Sequence, residues 1–250
     1  MTNRKKLFDT VAGRRVFTVL IVLLAAVGAL VSFHLYNIYS GYQSAREEYD
    51  ELRDIAYVVI APAPGEEPEA ILSADIDLKE INPSYVCWLK IEGTEVDYPV
   101  VQGQDNEYYM YRTFRGERNA SGTPFMDVLC PGGLSAPMSI IYGHNMHDGS
   151  MFSVLHDYHN DSFFFSHPYI TITPYDSDPI TYVVFAVLST DVYDPIFSLR
   201  GADFQEVFNY CSEIGKPSGS GSVLVLSTCT TGGTDDDRLL VVAAQVETEI

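Results

Sequence analysis

Cys229 closes the run Ser222–Thr228 (SVLVLST), at the point where a β-branched, aliphatic segment gives way to a loop rich in Thr and Gly. A thiol at a strand end is held rigidly and still reaches a substrate. To act as a nucleophile it needs a base and a group that stabilises an oxyanion. Among six histidines, His144 in Tyr142-Gly143-His144-Asn145-Met146 also follows a short apolar run, with Gly143 allowing a sharp backbone exit. His34 lies beside a long apolar stretch, and for His156, His159 and His167 packing is the default reading. Arg238 comes nine residues after Cys229, and a hairpin through Gly232-Gly233 returns it beside the thiol. It is too basic to serve as a base, but its guanidinium can hold a carbonyl or an oxyanion. The competing role for Arg238 is an ion pair with Asp235, Asp236 or Asp237.

The remaining cysteines differ from Cys229. An even count of four would ordinarily suggest two disulfides. Cys211, however, falls on an apolar helix face and Cys87 adjoins Trp88, so burial as thiols is the better account of both.

The elements that must position these residues are mostly strands. Trp88 to Ile91, a turn at Glu92-Gly93, and Thr94 to Val101 read as a hairpin. Ser139 to Tyr142 is a short buried strand; Tyr169 to Pro174 and Ile180 to Ser189 flank a turn; Ser222 to Thr228 and Arg238 to Val246 form a last pair. One helix is expected over Met151 to Phe165 and another over Ala202 to Glu213, where Phe204, Val207, Phe208 and Cys211 make a stripe and Asp203 can cap. Many short strands with two helical insertions predict a mainly β fold, a closed or nearly closed antiparallel barrel.

Charge divides the 250 residues. Residues 1–33 carry +4 and the rest −23, within a total of −19. An acidic body excludes nucleic acid as a partner, which requires a basic face. Between the two regimes, Val16 to Phe33 holds eighteen residues without a charge, about 27 Å of helix against a hydrocarbon core of about 30 Å. Five Lys/Arg precede it, so an uncleaved membrane anchor with a cytoplasmic N-terminus is expected, rather than a signal peptide with its shorter apolar core. Residues 40–57 read as a helix, and Ala61-Pro62-Ala63-Pro64-Gly65-Glu66-Glu67-Pro68-Glu69 as an extended linker. The expected organisation is a cytoplasmic N-terminus at 1–15, a transmembrane anchor at 16–38, an extracytoplasmic helix and linker at 39–72, and a catalytic domain at 73–250.

Leu226-Ser227-Thr228-Cys229 followed by Arg238, with Tyr142-Gly143-His144 upstream, resembles a sortase, a membrane-anchored cysteine transpeptidase of Gram-positive envelopes. The resemblance extends through Tyr98-Pro99-Val100-Val101-Gln102-Gly103, Asp105-Asn106, Tyr111-Arg112-Thr113-Phe114 and Gly122-Thr123-Pro124-Phe125-Met126-Asp127, and through Met151-Phe152 to His167-Pro168. The helix at 202–213 and the helical extension ahead of the barrel are similar to class B. The resemblance implies that Cys229 attacks the Thr carbonyl of an LPXTG-like or NPXTX-like sorting signal, forming a thioacyl-enzyme. It implies that His144 serves the leaving and incoming amines and that Arg238 holds the signal and the oxyanion. The resemblance further implies that Asn106 and Ser227 are groove-lining positions and that residues 190–221 form one groove wall. The implied partners are a protein bearing the signal and an amine from a peptidoglycan precursor or a pilin lysine.

Other readings compete. His144-Asn145-Met146-His147 is an HxxH pair lacking the helix and glutamate of a zinc motif, and Asp235-Asp236-Asp237 is more simply a solvated turn than a calcium loop. No metal or cofactor is expected. A silent binding module on a membrane stalk explains the anchor and barrel but not three reactive residues at strand ends. A cysteine hydrolase differs only in letting water resolve the acyl-enzyme.

Overall fold

The computed structural model describes residues 11–60, 69–72, 75–130, 132–217, 221–230 and 232–246. The N-terminal basic cluster Arg4, Lys5 and Lys6, and most of the Pro-rich linker (61–68), lie outside the described residues. The chain divides into two compact units, one ending at Ser44 and one beginning at Ala45. Helix α1, Val11–Ala56, is the one described helix long and apolar enough to cross a membrane. Its last turns belong to the second unit, because Ala45, Tyr49, Leu52 and Ala56 recur at helical spacing and are all buried. There the Tyr49 hydroxyl donates to the Gly122 carbonyl at 2.6 Å.

After α1, strands β1 (Tyr57–Ile60) and β2 (Glu69–Leu72) pair antiparallel, and α2 (Asp75–Ile81) leads into the barrel. The barrel strands are β3 (Tyr85–Lys90), β4 (Asp97–Val101), β5 (Phe125–Met126), β6 (Met138–Tyr142), β7 (Tyr169–Pro174), β8 (Ile180–Asp191), β9 (Val223–Cys229) and β10 (Asp237–Gln245). Among the described residues they close in the order β10-β8-β7-β3-β4-β5-β6-β9. The closed barrel is the expected fold, but its pairing is mixed: β4–β5 and β6–β9 are parallel and the other neighbours antiparallel. Long connections make this possible, since a parallel partner requires the chain to cross back before it pairs.

The core is built from β6, β9 and β10, whose Ile140, Leu224, Val225, Leu226 and Leu240 to Ala243 are fully buried. Continuous apolar runs of this kind suit strands covered on both faces. Between β8 and β9 the insertion carries a 3-10 turn at Pro195–Leu199 and helix α4 (Phe204–Ile214). Asp203 caps α4 by accepting from the Glu206 amide, and the face with Val207 and Cys211 is buried. The single helix expected over Met151 to Phe165 is instead a 3-10 segment, Ser153–His159, and a short α3, Asp161–Ser166. Met151 at φ 56° blocks an earlier helical start, and extended Asn160 interrupts the run and caps α3.

Candidate active site

Two strand registers bring the candidate residues together. In the parallel pair, Tyr142 of β6 stands beside Ser227 of β9. Two residues further along each chain come His144 and Cys229, which therefore leave the same end of the barrel on neighbouring strands. The Gly143 amide continues the ladder by donating to the Ser227 carbonyl at 3.1 Å. In the antiparallel pair, Arg238 of β10 is the direct partner of Cys229. Directly opposed residues project to one face, so the thiol has the imidazole segment on one side and the guanidinium on the other. All three line one cleft of about 450 Å³, with Met110, Tyr111, Ser227, Thr228 and the 233–235 loop.

Each group has a defined setting. The His144 Nε2 lies 2.6 Å from the Met110 carbonyl. A carbonyl can only accept, so Nε2 carries the hydrogen and Nδ1 is the basic nitrogen of the neutral ring. The ring is flanked by Tyr111 at 5.7 Å between centroids, and the His144 carbonyl accepts from the Phe152 amide at 2.9 Å. Gly143 does not use a left-handed conformation; a Cβ there would meet the Phe152 ring at 2.6 Å. Close packing, rather than the backbone freedom expected from the sequence, is what requires glycine.

Cys229 is the one exposed thiol among four free cysteines. Burial raises the thiol pKa of Cys130 and pushes that of Cys211 up to about 11. The Cys229 carbonyl accepts from Asn145 Nδ2 at 3.3 Å and from His156 Nε2 at 3.1 Å. Asn145 thus ties the residue after His144 to the candidate nucleophile itself. Arg238 makes no ion pair among the described residues. Its Nη1 donates to the main-chain carbonyls of Asp235 at 2.6 Å and Asp237 at 2.9 Å, which leaves the rest of the fork for a ligand. The Asp237 carboxylate instead accepts from the Thr234 amide at 2.5 Å. Among the described residues no group of His, Cys, Asp and Glu is arranged to hold a metal ion.

A sortase-domain family model matches residues 89–246. The chain belongs to the sortase family. Sortase B of Listeria monocytogenes is 33% identical over 185 residues, which span 69% of this chain and 74% of the relative. The crystal structure of Bacillus anthracis sortase B, in complex with AAEK1, aligns at TM-score 0.67 and 25% identity over 84% of this chain and all of that one. The X-ray structure of Clostridium perfringens sortase B aligns at TM-score 0.61 and 29% identity, over 69% of this chain and all of that one. This sortase is a cysteine transpeptidase of the class B type.

Of the two groove positions expected from the sequence, Ser227 lines the cleft, and its buried hydroxyl has no partner among the described residues. Asn106 faces elsewhere. Its Nδ2 donates to Asp127 at 3.1 Å and its Oδ1 accepts from the Val128 amide at 2.9 Å. Asp127 is fully buried and also accepts from the Tyr142 hydroxyl at 2.7 Å, the Leu129 amide at 2.8 Å and Arg200 Nη1 at 2.8 Å. This carboxylate therefore joins the Asn106 loop, the end of β6 and the insertion ahead of α4. Sequence reading missed Met110, Asn145, His156 and Arg200 as parts of the sortase site, because each acts through a contact between distant segments. It also missed Arg46, whose guanidinium holds the Asp148 carboxylate at 3.1 Å and braces the loop after His144 from α1.

Proposed function

We propose that this sortase cleaves a sorting signal of the LPXTG or NPXTX kind after its Thr and transfers the carrier protein to an amine. The observation that carries this reading is the double register of Cys229, beside the His144 segment through β6 and opposite Arg238 through β10. The Cys229 sulfur attacks the Thr carbonyl carbon as the thiol proton passes to His144 Nδ1. The carbonyl oxygen becomes an oxyanion facing the free part of the Arg238 fork, an interaction stronger in the transition state than in the ground state. Collapse breaks the C–N bond, His144 protonates the departing amine, and a thioester remains on Cys229. An incoming amine then attacks the thioester as Nδ1 takes its proton; the sulfur leaves and is reprotonated.

The Ser227 hydroxyl is unpartnered among the described residues but buried, so it bonds the bound signal only where the side chains over it move aside as the signal enters. Asn106 contributes through Asp127, the carboxylate that holds the hydroxyl of cleft-lining Tyr142. The insertion ahead of α4 is tied to the same carboxylate by Arg200, although no residue of 190–217 lines the cleft itself. The exposed apolar part of α1 crosses the membrane, with the basic N-terminus in the cytoplasm and the acidic body outside.

The test is to incubate the full chain in detergent micelles with sorting-signal peptides and measure intact mass. The expected result is an acyl adduct lost in Cys229→Ala. No adduct with any such peptide, or cleavage that survives Cys229→Ala, would overturn the reading. Adding an amine separates transfer from hydrolysis, the second reading, which differs only in the nucleophile that resolves the thioester.

A further inference from the structure

A second cavity, of about 250 Å³, adjoins the catalytic cleft and shares Tyr111 with it; Asp105, Glu107, Tyr108, Arg112 and Arg118 complete its lining. Arg112 and Arg118 are antiparallel bridge partners across the tight loop between them. Like charges placed directly opposite destabilise a strand pair unless an anion lies between them. Neither makes an ion pair among the described residues, although the cavity also holds two carboxylates. Arg112 is fixed with its guanidinium 4.8 Å from the Tyr108 ring centroid and with Nη1 donating to the Gly116 carbonyl at 3.0 Å. Arg118 is exposed, and its side chain has no hydrogen bond or ion pair among the described residues. Asp105 has one oxygen committed to the Glu107 and Tyr108 amides at 2.9 and 2.8 Å, and its second oxygen has no partner among the described residues. The cavity thus offers paired guanidinium donors and nearby carboxylates, on a body whose net −23 repels anions elsewhere.

We propose that this cavity binds the tail of the amine acceptor, and that it selects an acceptor carrying a carboxylate as well as its reacting amine. The inference rests on the transpeptidase reading above. In that reading the incoming amine must surrender its proton to His144, so its nitrogen sits beside the imidazole and the rest of the molecule extends away. Tyr111 stands against that imidazole and also lines the Arg cavity, so an amine at His144 has its own tail within reach of Arg112 and Arg118. The carboxylate bonds to the guanidinium pair. A second ammonium, where the acceptor has one, meets Asp105 and Glu107. The signal peptide is served by Ser227, Cys229 and Arg238 and does not compete for this space.

The test uses two acceptors that differ in one group, Nα-acetyl-lysine and Nα-acetyl-lysinamide. The full chain in detergent is acylated with a signal peptide, and the ratio of transfer efficiencies to the two amines is measured by mass. The carboxylate form is expected to be favoured about tenfold, the effect of one charge-assisted hydrogen bond. Arg118→Gln and Arg112→Gln each bring the ratio close to one, whereas Arg118→Lys keeps most of the preference. A ratio near one in the parent protein, or an unchanged ratio in Arg118→Gln, overturns the inference while an observed acyl adduct leaves the transpeptidase reading standing. Absence of any adduct is the failure of that reading, and the assignment of the cavity falls with it.

Discussion

Arg200, in the insertion between β8 and β9, donates to Asp127 at 2.8 Å across seventy-three residues of chain. Asp127 has no exposure and the Arg200 side chain is 25% exposed, so water screens the pair poorly. Removing one partner of such a pair leaves an uncompensated buried charge, a loss of about 3 kcal/mol. Arg200→Met is therefore expected to unfold in urea at clearly lower concentration than the parent. It should also weaken binding of the signal peptide, because Arg200 no longer fixes the carboxylate that holds the hydroxyl of cleft-lining Tyr142. A denaturation midpoint equal to that of the parent would show that the pair contributes nothing.

Asp127 also makes stability depend on pH. Burial alone would raise its carboxyl pKa, but the bonds from Arg200, Leu129, Tyr142 and Asn106 outweigh burial and hold it below the usual carboxylate range. The stabilisation is complete above the ordinary value of about 4 and is lost as pH falls through the lower folded value. Asp127→Asn should be less stable than the parent at neutral pH and show a shallower fall in stability below pH ~4. Thermal melts between neutral and acid pH measure both effects, and parallel curves would remove Asp127 as the source.

Gly143 and Phe152 form a testable pair. A Cβ at position 143 would lie 2.6 Å from the Phe152 ring, itself fully buried. Gly143→Ala is expected to cost about 1–3 kcal/mol through overpacking and to slow acylation by displacing His144. Phe152→Ala alone leaves a cavity, but the two substitutions together should cost less than their sum. Additive losses would mean that the clash is relieved elsewhere.

The tautomer of His144 follows from its contact with Met110. Nitrogen-15 spectra of the resting protein are expected to place the hydrogen on Nε2, the atom 2.6 Å from that carbonyl. Hydrogen on Nδ1 at rest would contradict the proton path assigned to the imidazole.

Arg238 is predicted to be irreplaceable by lysine. One guanidinium nitrogen is anchored to the Asp235 and Asp237 carbonyls, so the planar fork arrives oriented, which a flexible ammonium cannot reproduce. Arg238→Lys should lower the acylation rate about 100-fold or more, the loss seen when one oxyanion donor is removed. The fold, checked by circular dichroism, should be kept. A rate within a few fold of the parent would take the oxyanion role from this residue.

What could be read from the sequence alone was whatever neighbouring residues determine. The uncharged run from Val16 to Phe33, the Asp203 cap and the Val207 and Cys211 face of α4, and most of the barrel strands were legible, because helix and strand periodicity is local. The two-residue β5 is too short to show a period, and Phe204 and Phe208 of the expected stripe stay exposed. So was the hairpin that returns Arg238 to Cys229, since a short Gly-containing loop joins β9 to β10. The tertiary structure decided what neighbours cannot specify. The parallel register of β6 and β9 sets His144 beside a cysteine eighty-five residues away, and packing of buried side chains from several strands selects that register. The same holds for the Asn145 and His156 clasp on the Cys229 carbonyl, for Phe152 against Gly143, and for Arg200 on Asp127. In each case the partners belong to different elements, so the contact exists only once the barrel has closed.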